Sequence, residues 1–414
     1  MSKSNSSATP KVKFTPYQSL LVALLSLTQF TVILDFMVMN PLGDAIKKSM
    51  TLNPKQFGFV VAGYAISAGI SAFITAGFAD KFDRKKLLIF FYIGFIVGTI
   101  FCGLSSNYAL LLLSRIVTGI FGGVIGGISM AIVTDVFAIE MRGRVMAFTS
   151  MGFGASQVLG IPISLYLSNH WGWEAPFFMV AALGFLIWSV IIVKMQPVIA
   201  HLNNPNKVNA LRHLWNTIKS RRYRIGFTGT ALLSLGGYMM MPWGTVFAVN
   251  NLHIPNEQIP FLFAVGGVAT LCIMPLIGRI SDRVNKFSVF TFASLWMILV
   301  VCVYTNLGPS PLWLVMIFNV CMMIGIMGRM VPSMAITSAL PEMYDRGAFM
   351  SVNSALQLVT GGVAAIISGF IVHQKDAFSP LEHYNIMGYV VSMIVLACIF
   401  MIYRVMNIVK EKVN

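Results

Sequence analysis

The stretch Leu27 to Leu42, LTQFTVILDFMVMNPL, sets one carboxylate, Asp35, in an apolar run long enough to cross a bilayer. An ionised side chain beside hydrocarbon is costly, so Asp35 must face protein or a wet cavity and needs a partner. Such an acid either takes part in function or locks two helices together as a structural ion pair. Of 14 acids it alone sits well inside an apolar run, and all six histidines, His170, His201, His213, His253, His373 and His383, fall in loops or at run ends. Two cations, Arg115 and Arg329, share that immersion. Asp35 lies about 5 residues, and Arg115 about 7, from the same end of their runs, depths of roughly 8 and 10 Å at about 1.5 Å per residue. They can meet if their helices are neighbours. A carboxylate tied to a permanent cation gives up that tie when a proton binds, so protonation, hydration and helix contact become coupled. Arg329 needs an anion as well, from a carboxylate or from a bound solute.

The elements that carry these residues follow from composition. At 57% hydrophobic and 10% charged over 414 residues, the chain cannot cover itself with polar surface and is read as a polytopic membrane protein. The net charge of +15 is then loop charge at the inner membrane surface and not a nucleic-acid footprint. Five cysteines, Cys102, Cys272, Cys302, Cys321 and Cys398, fall within apolar runs, which argues against a disulfide framework or zinc site. No metal and no cofactor is expected. The absence of HExxH, GxSxG and GxxxxGK[ST] argues against an enzyme and against an ATP-driven pump. The polar, basic Met1 to Pro16 precedes a run too long for a signal-peptide core.

Apolar runs lie near 17–40, 57–79, 87–105, 108–138, 145–167, 174–197, 224–249, 259–280, 287–306, 312–338, 347–373 and 384–408. Each has about the twenty residues a spanning helix needs, which makes twelve spans. With both termini cytoplasmic, 23 of the 29 Lys and Arg fall on the inner side and 4 outside, namely Lys47, Lys48, Lys55 and Lys375. That bias fixes the orientation, and the first outer loop is its one local dissent. Residues 198–223 form the longest connection; Leu211, Leu214, Trp215 and Ile218 among basic residues suggest an amphipathic helix on the inner leaflet. The chain therefore divides into a tail (1–16), a six-helix bundle (17–197), this linker, a second bundle (224–408) and a tail (409–414). An internal repeat agrees: AGFADKFDRKK (76–86) is echoed by GRISDRVNK (278–286), and MRGRVMAF (141–148) by DRGAFMSV (345–352), at offsets of 202 and 204 residues. The expected fold is all-α, two pseudo-symmetric six-helix bundles with substrate between them near the midplane.

These features resemble the major facilitator superfamily of secondary transporters. The loop after span two resembles its signature through Ala76, Asp80, Lys81, Phe82, Asp83, Arg84 and Lys85, with Ala76 and Asp83 standing where the pattern prefers glycine. LDFMVMNPLGDAI, SRIVTGIFGG and VLGIPISLYL look like its twelve-span efflux branch of drug, sugar and nucleoside exporters; the Gly-Pro pair typical of antiporters is here Gly160 and Pro162, separated by Ile161. The resemblance implies that spans one and four are neighbours lining the cavity, which would bring Asp35 to Arg115.

Asp80, Arg84, Lys85 and Asp135, with Asp282 and Arg283 in the echo, read as a cytoplasmic gate that holds the inner faces together in one state and breaks in the other. Gly119, Gly123 and Gly127 form a small-residue face for close helix packing, with Gly160 and Pro162 also read as packing positions. Gln29, Thr31, Gln157, Tyr238, Trp243, Asn319, Arg329, Asn353 and Gln357 are the candidate cavity residues. Asn353 and Gln357 share one helical face. The expected protein is a monomeric, multi-pass inner-membrane transporter that exports a small organic molecule against proton entry, with Asp35 and Arg115 as the proton-coupling pair. Its partners are that small molecule, protons and the lipid bilayer. Uptake by symport or facilitated diffusion, a lipid flippase, and a sensor or structural subunit are the alternatives, marked respectively by flux that follows a substrate gradient without pH change, by a lateral opening with lipid-stimulated flux, and by ligand binding without flux.

Overall fold

The computed structural model describes residues 14–199, 202 and 210–413. The expected N-terminal tail to residue 13, linker residues 200, 201 and 203–209, the Leu211 side chain and Asn414 lie outside the described residues. The elements are α1 (Pro16–Val38), α2 (Gly43–Met50), α3 (Pro54–Thr75), α4 (Arg84–Gly103), α5 (Tyr108–Val136), α6 (Ile139–Ala155), α7 (Ile161–Trp171), α8 (Ala175–Lys194), α9 (Ala210–Lys219), α10 (Arg221–Tyr238), α11 (Gly244–Asn250), α12 (Ile259–Arg283), α13 (Lys286–Tyr304), α14 (Leu312–Ser338), α15 (Arg346–Ile371) and α16 (Tyr384–Val413). Among the described residues the only strand-like pairing is an isolated bridge, His373 to Glu382. Among the described residues eleven helical stretches are long and apolar enough to cross a membrane, and α6 with α7 completes a twelfth crossing in two pieces.

Helix starts are written in the sequence. Thr15 accepts from the Gln18 amide and Asn53 from the Gln56 amide, in each case with the glutamine side chain returning the bond and a proline at the first helical position. The internal repeat appears as a shared cap: Asp83 accepts from Lys85 N at 2.9 Å to open α4, and Asn285 accepts from Phe287 N at 2.9 Å to open α13. The two halves thus enter equivalent helices through the same device.

The crossing made by α6 and α7 is joined by a π turn, Ser156–Gly160, in which Ile161 N–H reaches the Ser156 carbonyl. Pro162 has no N–H to give, so the Gln157 carbonyl is released. That oxygen lies 3.0 Å from where a Cβ on Gly267 would stand, so α12 can come up against it only because residue 267 is glycine. On the other seam α3 and α15 approach as closely: a Cβ at Gly58 would sit 2.7 Å from the Ala365 carbonyl oxygen, and one at Gly69 2.7 Å from that of Ala355. These two seams join the halves. Within the N-terminal half α5 packs on α3 through Gly119 and Gly123, where a Cβ would meet Tyr64 O at 2.4 Å and Ala68 Cα at 2.5 Å. Gly127, expected to continue that face, meets nothing within 4 Å, because the two helices have diverged there.

Large apolar side chains such as Phe90, Val193, Phe292 and Met393 stand exposed around the bundle, as a lipid-facing belt requires. Both termini lie on one face, here the terminal face; α2 and the ends of α7, α11 and α15 lie on the distal face. Two boundaries differ from expectation. α16 runs on to Val413, so residues 409–413 are helix and not tail. The linker helix α9 turns Leu214 and Thr217 inward and sets His213 Nε2 3.5 Å from Asp345 at the start of α15, so it docks on the C-terminal half with Trp215 left exposed.

Candidate functional site

Asp35 comes from the distal third of α1 and Arg115 from the distal third of α5. Arg115 Nη1 donates to Asp35 Oδ2 at 2.8 Å, and the side chains are 1% and 0% exposed. Thr99 on α4 donates to Asp35 Oδ1 at 3.2 Å, and the guanidinium lies over the Tyr64 ring of α3, 4.5 Å from its centroid. Four helices therefore converge on one ion pair. Arg115 Nε finds no acceptor, so the guanidinium is held through part of its donor set. A carboxylate in this setting has two forms, charged and tethered or protonated and released, and exchange between them changes what α1 and α5 gain by touching. Thr99 and Tyr64 were not singled out from the sequence; threonine and tyrosine in apolar helices are too common to signal a partner.

On the terminal face Arg84 bridges two acids, donating from Nη2 to Asp80 Oδ1 at 2.5 Å and from Nε to Asp135 Oδ2 at 3.2 Å. The α3–α4 loop is thereby tied to the end of α5. Lys85 neutralises helix-end carbonyls beside that cluster: its Nζ donates to the Ile192 and Met195 carbonyls at 2.9 and 2.6 Å, at the C-terminal end of α8. Asp282 and Arg283 are exposed, and among the described residues neither has an ion pair. The repeat explains why, since 202 residues beyond Asp135 stands Thr337, which brings no charge.

The side-chain amide oxygens of Gln29, Gln157, Asn319 and Asn353 are buried without a donor. Gln157 sits in the π turn, Gln29 beside Gly126 of α5, and Asn319 Oδ1 lies 2.5 Å from where a Cβ on Gly266 would stand. Gln357 is half-buried one turn beyond Asn353 on α15. Asn40, absent from the sequence-based set, also has a donorless Oδ1 and shares a small recess with Phe36, Tyr238, Met241, Pro242 and Gly361. Such amide oxygens suit a ligand that carries N–H or O–H groups.

Of the remaining expected cavity residues, Thr31 and Trp243 bond elsewhere, whereas Arg329 keeps unpaired donors. Thr31 is fully buried in the N-terminal half, donating to the Thr28 carbonyl and meeting the Tyr92 hydroxyl at 2.8 Å, because α4 lies behind that face of α1. Trp243 is fully buried on the distal side, donating to Ser368 Oγ at 2.8 Å. Arg329 is 2% exposed within the C-terminal half, 5.9 Å from the Phe290 ring centroid, and its Nε and Nη2 have no acceptor. Pro162 opens α7, and Gly160 receives Leu34 of α1.

Twelve apolar crossings, two half-repeats and a buried ion pair define an integral multi-pass membrane protein of transporter architecture. The Major Facilitator Superfamily model matches residues 25–369 and 226–413, and the chain belongs to that superfamily of transporters. It is 23% identical over 369 residues to the uncharacterised MFS-type transporter YceJ of Bacillus subtilis, covering 88% of this chain and 92% of YceJ. A bicyclomycin resistance protein homologue of Haemophilus influenzae is 22% identical over 355 residues, 81% of this chain and 85% of that protein. Among solved structures, a bacterial homologue of the human lysosomal transporter Spinster in an inward-facing, unoccupied conformation superposes with a TM-score of 0.78 over 96% of this chain and 99% of that one, at 16% identity. The fold is thus the major facilitator fold, that of a superfamily of transporters.

Proposed function

We propose that this protein exports a small organic molecule by proton-coupled antiport, with Asp35 as the proton carrier and Arg115 as its tether. The observation that carries this is the buried ion pair, 2.8 Å long and gripped by four helices. Protonation of Asp35 from one side frees Arg115 and loosens α1 from α5; substrate binding from the other side favours the charged, tethered form. The halves then rock about the α3–α15 and α12–α7 seams in alternating access. The terminal face, rich in Lys and Arg, is cytoplasmic in this scheme, the membrane is the inner one, and the protein acts as a monomer. Arg84 with Asp80 and Asp135 stiffens the cytoplasmic face, and Lys85 anchors α8 beside it.

The substrate meets Gln29, Gln157, Asn319, Asn353 and Gln357, with Tyr238 and Asn40 above them, and it carries hydrogen-bond donors. Similarity to a bicyclomycin resistance protein homologue supports export of a drug-like compound. The test is Asp35→Asn in proteoliposomes with an imposed pH gradient, using hits from a thermal-shift screen as cargo. Gradient-driven flux should vanish while ligand-induced thermal shifts persist, whereas undiminished flux removes Asp35 from the mechanism.

A further inference from the structure

The lysines of α2, which run against the charge bias of the loops, are built into the contact between the halves. Lys47 is 1% exposed although it belongs to a short helix on the distal face. Its ammonium donates to Gln374 Oε1 of the opposite half and lies 5.3 Å from the centroid of the Trp243 ring. Both partners are fixed from behind. Gln374 Nε2 donates to the Ser379 carbonyl at 2.5 Å, which turns its oxygen toward Lys47, and Trp243 is held by Ser368 and by the Phe57 ring at 5.8 Å. The nearest acid is committed elsewhere: Asp44 takes Lys48 on Oδ2 at 2.8 Å and Asn250 of the opposite half on Oδ1 at 3.1 Å. A buried cation with a neutral socket and no counter-ion of its own is an uncommon construction, and here the socket belongs to a body that must move away.

We propose that Lys47 is the latch of the distal mouth: closure inserts its ammonium into the Gln374–Trp243 socket, and opening returns it to water. The latch rests on the alternating-access reading above, but its own readout is the mouth and not flux. Because one state buries the cation and the other hydrates it, opening takes up protons. Burial lowers Lys47 to about 8 in the closed form, with Asp44 opposing that shift and Lys48 adding to it. In water the group returns to its ordinary value of 10.5. Below the lower value Lys47 is charged in both states and the balance is flat. Between the two values the closed form has lost a proton that the open form keeps, so the open-to-closed ratio falls by up to about tenfold per pH unit.

The other charged groups nearby are few. Asp44 and Lys48 share its helix, Glu257 lines a cleft with Asp44, Lys55 opens α3, and His373, Lys375, Asp376 and Glu382 lie on the segment that carries Gln374. Lys375 stands 3.8 Å from Glu382, and Asp376 accepts from the Phe378 and Ser379 amides. The turn 241–243 and α11 contribute no charge.

Spin labels at Ser106→Cys and Gly308→Cys, exposed distal sites on opposite halves, would report the mouth as a distance distribution in nanodiscs once the five native cysteines are replaced. The short-distance population of the parent should grow between pH 8 and 10. Lys47→Met should abolish that step. Gln374→Glu gives the ammonium a counter-ion, and it should move the step to higher pH with the closed form favoured throughout; this second variant decides the matter if Lys47→Met does not fold. A step unchanged in either variant, or no step in the parent, would overturn the latch. Repeating the titration in Asp35→Asn separates it from the proton carrier, since the distal step should survive there.

Discussion

Cutting the Asp35–Arg115 pair from each side, and then removing it whole, tests whether the pair is a tether or a pair of unrelated polar groups. At a contact of 2.8 Å the attraction is at most about 6 kcal/mol for an effective dielectric of ~20. Withdrawing both ions from water costs several kcal/mol each, so the intact pair contributes little net stability. A lone survivor keeps its burial cost without compensation. Arg115→Met leaves Asp35 with only Thr99, and Asp35→Asn leaves Arg115 facing the Tyr64 ring; each should lose about 3–5 kcal/mol. The double variant, Asp35→Asn with Arg115→Met, strands no charge and should lose at least about 2 kcal/mol less than the two single losses added together. Equilibrium unfolding in mixed micelles gives the four free energies. Losses that add to within about 0.5 kcal/mol would refute the reasoning, because independent sites add in that way and a buried ion pair does not.

Gly123→Val places a Cβ 2.5 Å from Ala68 Cα, which is backbone and cannot swing aside, so α3 and α5 must part at a loss of about 1–3 kcal/mol. Gly127→Ala meets open space and should be neutral or gain up to about 1 kcal/mol from helix propensity; thermal melts of the two variants check the contrast. Tyr223→Phe deletes a 2.6 Å hydrogen bond to Asp345 and should lose about 1.5–3 kcal/mol, read as faster hydrogen exchange at the start of α15. Asp80, 72% exposed, should tolerate Asn with a change of about 1 kcal/mol or less, although Arg84 contacts it at 2.5 Å; a melting curve shifted as far as that of Arg84→Gln would contradict this.

What was legible from the sequence were features that a single helix carries within itself. Asp35 and Arg115 stand out because charge in an apolar run needs no knowledge of neighbours, and matching depths are simple arithmetic. Caps at Thr15, Asn53, Asp83 and Asn285 are local as well. Illegible were the properties that depend on which helix lies opposite. Thr31 looks like Gln29 in the sequence, yet one bonds Tyr92 and the other has a donorless oxygen. The small-residue face of α5 ends at Gly123 because α3 leans away beyond it. The charge count did flag Lys47, as an exception to the loop bias, but only the opposite half shows why it is there.

The π turn at Ser156–Gly160 has a bearing on engineering the fifth crossing. The wider turn absorbs one surplus residue, so everything after it stands about 100° behind the face that an unbroken α-helix would give it. Deleting a single position within the turn would restore ordinary winding and leave Ile161–Trp171 on the faces they now hold, whereas winding all the residues as unbroken α-helix would swing them round together. Asn169, which donates to the Asn256 carbonyl at 3.2 Å, would then point away from the other half. Alanine or deletion scans through this crossing should therefore be read on two separate helical wheels, one for each side of the turn.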